Sequence, residues 1–103
     1  MDILSASFTK DDSADNVWLL SGVVNNQTVP DLLPQGEKII REFAASELII
    51  DLSGVTPDQV DSSAVALLLA CLRTAKGCGK YCKFKNIPAK MKDIMTVSYI
   101  DFL

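Results

Sequence analysis

Histidine does not occur anywhere in this 103-residue chain. Its absence excludes His-dependent metal sites and removes the base from Ser-His and Cys-His nucleophile pairs. Most ordinary enzyme chemistries are excluded with it. Long apolar runs are missing too, because none reaches the roughly 18 to 20 residues that a helix needs to cross a bilayer. The N-terminal stretch MDILSASFTKDDSADN carries acids where a signal peptide would carry a basic region and an apolar core. These absences predict a soluble, cytoplasmic protein.

Clustered basic charge is equally scarce. Ten Lys and Arg are interspersed with thirteen acids for a net charge of -3, which argues against nonspecific nucleic-acid binding. Cysteine occurs three times, at Cys71, Cys78 and Cys82, an odd count that predicts reduced thiols. Cys78 and Cys82 lie four apart, but no further ligands stand at useful spacing, so the expected metal content is none and no cofactor is expected. What is abundant is apolar residues, at 49 % of the chain, enough for one core and one domain over residues 1–103.

Hydrophobic periodicity divides the chain into seven elements. Ile3 to Thr9 alternates weakly, as an edge strand would, and Val17 to Ser21 reads as a second strand closed by Gly22, giving a hairpin with a long loop. From Val29 to Phe43 apolar residues recur at helical spacing, with Thr28 the N-cap and a kink or broken first turn predicted at Pro34 and Gly36. Glu47 to Leu52 (ELIIDL) has adjacent apolar residues, the pattern of a central strand covered on both faces and flanked by parallel partners. Ser62 to Lys76 is predicted helical with Val65, Leu68, Leu69, Leu72 and Ala75 as its core stripe, and Gly77 and Gly79 ending it. Tyr81 to Ile87 is a strand with lysines on its wet face. Pro88 then opens a last helix to about Val97, with Met91, Ile94 and Met95 inward. The fold class predicted is α/β, in the order β-β-α-β-α-β-α, with a mixed sheet of four to five strands and helices mainly on one face.

The segment that needs an explanation is VDSSAVALLLACL, Val60 to Leu72, where Asp61-Ser62-Ser63 interrupts two apolar stretches. Asp61 or Ser62 is a good N-cap for the helix that follows, and capping accounts for one polar residue of the three. The second serine needs another reason. A hydroxyl at a helix N-terminus lies at the positive end of the helix dipole, suited to carrying a phosphate or to receiving a partner's hydrogen bonds. Lys76, Lys80, Lys83 and Lys85 are read as solvation and protection of a sheet edge rather than an anion site.

IIDLSGVTPDQVDSSAVALLLACLRTAKGCGKYCKF resembles the central strand, switch loop and following helix of the STAS domain family, which includes anti-sigma-factor antagonists. LLSG at Leu19 to Gly22 resembles that family's Leu-x-Gly turn after its second strand. Within the family, VDSSAVALLLACLRTAKGCGK is most similar to the small stand-alone subunits of Mla-type phospholipid ABC transporters of Gram-negative bacteria. The resemblance implies a non-catalytic subunit that binds and supports the cytoplasmic ATPase subunit, reaching the inner membrane only through that partner. It also implies roles for single residues. Ser62 matches the functional Ser or Thr, Asp61 the preceding acid, and Ser63 and Ala64 the start of a partner-facing helix, while Thr56, Pro57 and Asp58 lie in the switch loop.

This chain departs from the family pattern at three places. Ala64 stands where Gly is usual, Gly54 to Val60 is about two residues longer with Pro57 and Asp58 as the extras, and Val23-Val24-Asn25 replaces an acidic Glu-Leu-Asp. The alternative reading within the same resemblance is an anti-sigma-factor antagonist that binds a kinase-type anti-sigma factor until Ser62 is phosphorylated.

Overall fold

The computed structural model describes residues 6–12, 14 and 16–98, with side chains as far as residue 95. Its element order is β1 (Ala6–Lys10), β2 (Val17–Gly22), α1 (Val29–Glu42), β3 (Glu47–Val55), a 3-10 turn (Pro57–Gln59), α2 (Ser62–Gly77), β4 (Tyr81–Lys85) and α3 (Ala89–Ser98). The predicted β-β-α-β-α-β-α order is therefore the observed one, with one added turn. The expected start of the first strand, at Ile3, lies outside the described residues.

Four strands form one mixed sheet in the order β1-β2-β3-β4. The hairpin pairs β1 with β2 antiparallel, while β3 runs parallel to both β2 and β4. A parallel neighbour needs a crossover, and α1 and α2 supply the two crossovers. The three helices pack side by side, α1 on α2 and α2 on α3. Strand side chains alternate accordingly. Leu48, Ile50, Leu52 and Cys82 are buried under the helices, while Ser7, Thr9, Tyr81, Lys83 and Lys85 on alternate positions are exposed.

β3 has the two parallel partners its composition predicted, but not the second covering layer. Among the described residues no helix packs on its other face, where Ile49 is half-buried and Asp51 is covered while bonded to its neighbours. Here the adjacent apolar residues of ELIIDL reflect a central position in the sheet rather than burial by helices on both sides.

Two helix expectations change in detail. α1 runs unbroken through Pro34, because the bond that proline cannot donate falls near the helix start, on an exposed side. Gly36 is needed for contact rather than for a bend. A Cβ there would come within 3.3 Å of both Cys71 Sγ and a ring carbon of Phe8, so those side chains would have to give way by a few tenths of an ångström. In α2 the inward residues are Ala64, Val65, Leu67, Leu68, Cys71 and Ala75, with Leu69 and Leu72 half-buried. Leu67 and Ala64 belong to the core because α2 sits between α1 and α3 and buries a face wider than one stripe.

Candidate functional site

Asp61 organises the entrance to α2. It takes an extended conformation as N-cap, and its Oδ1 accepts the N–H of Ser63 at 2.9 Å. Its second oxygen, Oδ2, accepts the N–H of Asn26 at 3.0 Å. A single carboxylate thus starts the helix and ties it to the β2–α1 loop. Of the two cap candidates in the sequence, Asp61 performs the task.

Ser62 is left free by that arrangement. It is the first residue of α2 and is exposed, and among the described residues its hydroxyl makes no hydrogen bond. Ser63 is half-buried behind it. Ala64 is fully buried and donates its N–H to the carbonyl of Asp61 at 3.0 Å, so it lies beneath the surface. The helix turns one small residue outward and the next ones inward, as a period of 3.6 requires.

The β2–α1 loop beside Ser62 is built by Thr28. Its hydroxyl is buried, donates to the carbonyl of Val23 at 2.7 Å and accepts the N–H of Asn25 at 3.0 Å. The expected capping of α1 by that side chain is absent, because the oxygen is committed to the loop. The carbonyl of Asn25 takes the N–H groups of Thr28 and Val29 instead. Asn26 and Gln27 are consequently held at the surface, next to α2.

On the other side lies the segment after β3. Thr56 is half-buried and donates its N–H to the carbonyl of Gly22 at 2.9 Å. Pro57, Asp58 and Gln59 are exposed and form the 3-10 turn. Lys90 on α3 donates to the carbonyl of Asp58 at 3.2 Å, and α3 packs on the turn. Pro57 and Asp58, the residues expected to lengthen this loop, therefore lie in an anchored turn. No signal in the sequence marked Asn26, Gln27 or Lys90 as its neighbours, since these contacts join residues more than 30 apart.

Asp51, in the middle of β3, ties that strand to the end of its parallel neighbour β4. Its Oδ1 accepts from Asn86 Nδ2 at 3.0 Å and from the N–H of Ser53 at 2.9 Å. The Asn86 bond, followed by those from Ser53, holds its carboxyl below the usual 3.8 against the opposing effect of burial. Asn86 adopts a left-handed φ of 59°, which an asparagine tolerates.

Two of the three cysteines are buried. Burial pushes the thiols of Cys71 and Cys82 up to about 12, so both stay protonated. Cys78 is exposed, and among the described residues no three metal-binding side chains converge. The four lysines do not act as one patch. Lys80 is half-buried and donates to the carbonyls of Ile40, Arg41 and Phe43, while Lys83 pairs with Glu47 at 2.9 Å. The terminal carbonyls of α1 account for the correction at Lys80, since they need a donor.

A mixed four-stranded sheet under one layer of three helices, with a capped helix N-terminus presented between two anchored loops, defines an α/β module of the STAS type. Residues 7–103 match the family model described as "Mlab, STAS domain", and the chain belongs to that family, whose domains are protein-interaction modules. No curated protein matches the sequence. Among solved structures it is similar to the anti-sigma factor antagonist SpoIIAA in its unphosphorylated form, with a TM-score of 0.65 and 14 % identity over 91 % of this chain and 84 % of that one. The Bacillus cell fate determinant SpoIIAA in its phosphorylated form gives a TM-score of 0.63 and 16 % identity over 91 % and 85 % of the two chains. At such identity the likeness is one of fold. No helix among the described residues is long and apolar enough to cross a membrane.

Proposed function

We propose that this chain is a non-catalytic docking subunit that binds and supports the ATPase of an Mla-type phospholipid ABC transporter through the surface around Ser62. The observation that carries the reading is the idle hydroxyl of Ser62, exposed at the head of α2 while Asp61 does the capping. A polar group that the fold does not use is available for hydrogen bonding across an interface. Asn26, Gln27, Pro57, Asp58 and Gln59 extend that surface on either side, and all are exposed. Membership of the family described as Mlab favours the transporter branch. In this reading the subunit is cytoplasmic and reaches the membrane only through its partner.

Purification of the tagged chain from its native membranes, with identification of the main partner, tests the proposal. An ABC ATPase subunit is the expected partner. Ser62→Arg should lose it while shifting the thermal midpoint by no more than about 3 °C. Recovery of no ATPase subunit, or loss of binding only in proportion to lost fold, overturns the reading.

A second reading is favoured by one specific observation: Ser62 sits where a phosphate would meet the positive end of α2. Here the partner is a kinase-type anti-sigma factor, and phosphorylation of Ser62 releases it. SpoIIAA, similar in fold, exists in unphosphorylated and phosphorylated forms. Intact-mass spectra of the protein from its own cells decide this reading, and a wholly unmodified mass under every growth condition counts against it.

A further inference from the structure

A groove separate from the Ser62 surface lies between α1 and the β1–β2 hairpin. It encloses about 400 Å³, within the roughly 300 to 1,000 Å³ typical of small-molecule sites. Phe8, Trp18, Ile39 and Phe43 form its apolar walls, each half-buried. Three of these four are aromatic, and aromatic walls favour a flat ring in offset or edge-to-face contact.

Charge at the mouth is balanced. Gln35, Lys38 and Glu42 line it along α1, and among the described residues neither Lys38 nor Glu42 has an ion pair. One cation beside one anion favours an occupant without net charge.

The indole of Trp18 adds a directional feature. Its Nε1 is the buried side-chain polar atom that has no hydrogen-bond partner among the described residues. Buried tryptophans usually find an acceptor for this group, and leaving it unmade is costly. The neighbouring strands supply none from side chains. Ile50 stands opposite on β3, and Lys10 opposite on β1 carries only donors and turns them to the carbonyls of Asp11 and Ala14.

We propose that the groove binds an uncharged aromatic molecule of about two rings that carries one hydrogen-bond acceptor, which takes the N–H of Trp18. The atom is shielded from water in this structure, so binding requires the indole to turn its N–H into the groove, where the bond forms away from bulk water. The site is independent of Ser62 and of the partner assigned there.

Quinoline and naphthalene provide the test, since they share a shape and differ by one ring nitrogen that accepts a hydrogen bond. Both are titrated against the full chain by ligand-observed NMR, with the fluorescence of Trp18, the chain's single tryptophan, as a second readout. Quinoline should bind the unaltered protein about threefold to tenfold more tightly than naphthalene. Trp18→Phe keeps an aromatic wall and removes the donor. It should bind naphthalene within about twofold of the original and lose the preference for quinoline, with a thermal midpoint unchanged or raised. Equal affinity of the two compounds for the unaltered protein, saturable binding by neither, or a preference that survives in folded Trp18→Phe would each overturn the proposal. The first comparison needs no variant, so the outcome does not depend on whether the substitution folds.

Discussion

The two ends of α2 spend their polar groups differently. At the C-terminal end nearly everything turns inward. The N–H of Cys78 reaches the carbonyls of Thr74 and Ala75, Lys80 donates its N–H to Ala75 at 2.8 Å, and the ammonium of Lys80 closes the end of α1 through the carbonyls of Ile40, Arg41 and Phe43. Gly79 makes the reversal possible with a φ of 71°, a left-handed conformation that favours glycine. At the N-terminal end Asp61 fastens the helix and the neighbouring loop, and Ser62 is left over. One end of the helix is a joint within the fold, and the other is a joint with an unused group on its surface. That difference, rather than the polarity of either end, separates a structural joint from the surface proposed for docking.

The comparison is tested most strongly at Lys80. Lys80→Met retains a stem of similar length and removes the ammonium, leaving three carbonyls at the end of α1 without their charged donor. The expected loss is about 2 kcal/mol in urea unfolding, with partner binding unchanged once the protein is folded. A neutral result would show that water satisfies those carbonyls equally well, and the C-terminal end would no longer count as a fastener. At the other end, Asp61→Ala should cost about 1 to 2 kcal/mol through the lost cap. It should also weaken partner binding beyond its effect on stability, because Asn26 loses its tie to α2. Asp61→Asn keeps an acceptor at the cap and should fall between the two.

Legibility in the sequence follows the same division. The elements were readable because periodicity is local, and β3 could be placed between parallel partners because ELIIDL has no polar alternation. Asp61 and Ser62 stood out because a cap is defined by its immediate neighbours. Lys80 was misread as a wet lysine, since its partners lie some 40 residues earlier and nothing local marks them. Thr28 was placed at the right position with the wrong partner, for its hydroxyl turns back to Val23 rather than into α1. Gly36 was read as a breaker, whereas its missing side chain admits Cys71 and Phe8. For Lys80 and Gly36 the error came from contacts made only when distant segments pack, whereas at Thr28 the competing acceptor lies five residues away within the same loop. The surface proposed for docking follows the same rule: Asp61 and Ser62 are adjacent in sequence, while the approach of Asn26 to Asp61 and of Lys90 to Asp58 became visible only through the fold.

A third effect is confined to acid. Asp51 has a carboxyl held below 3.8 in the folded protein, so its contribution is fully present above that ordinary value and is lost as the pH falls through the lowered one. Asp51→Asn removes the titration. The stability gap between the original protein and this variant should therefore be constant well above the ordinary value of 3.8 and narrow as the pH falls below it. A gap that stays constant throughout would mean that the hydrogen bonds to Asn86 and Ser53 do not distinguish the charged carboxylate from the amide.

The smallest expected effect falls on the residue of greatest functional interest. Ser62→Ala removes a hydroxyl that, among the described residues, has no partner, while the Asp61 cap and the buried Ala64 are untouched. Surface changes of this kind stay within about 0.5 kcal/mol, and alanine's higher helix propensity offsets part of even that. Partner affinity should respond differently, because a hydrogen bond used across an interface contributes about 0.5 to 1.5 kcal/mol, roughly a twofold to tenfold change. The test is to measure unfolding and partner dissociation on the same preparation. A stability loss as large as that of Asp61→Ala would make Ser62 a second fastener, and the contrast between the two ends of α2 would disappear. An unchanged midpoint with weakened binding would place the free hydroxyl at the interface and leave the fold to Asp61.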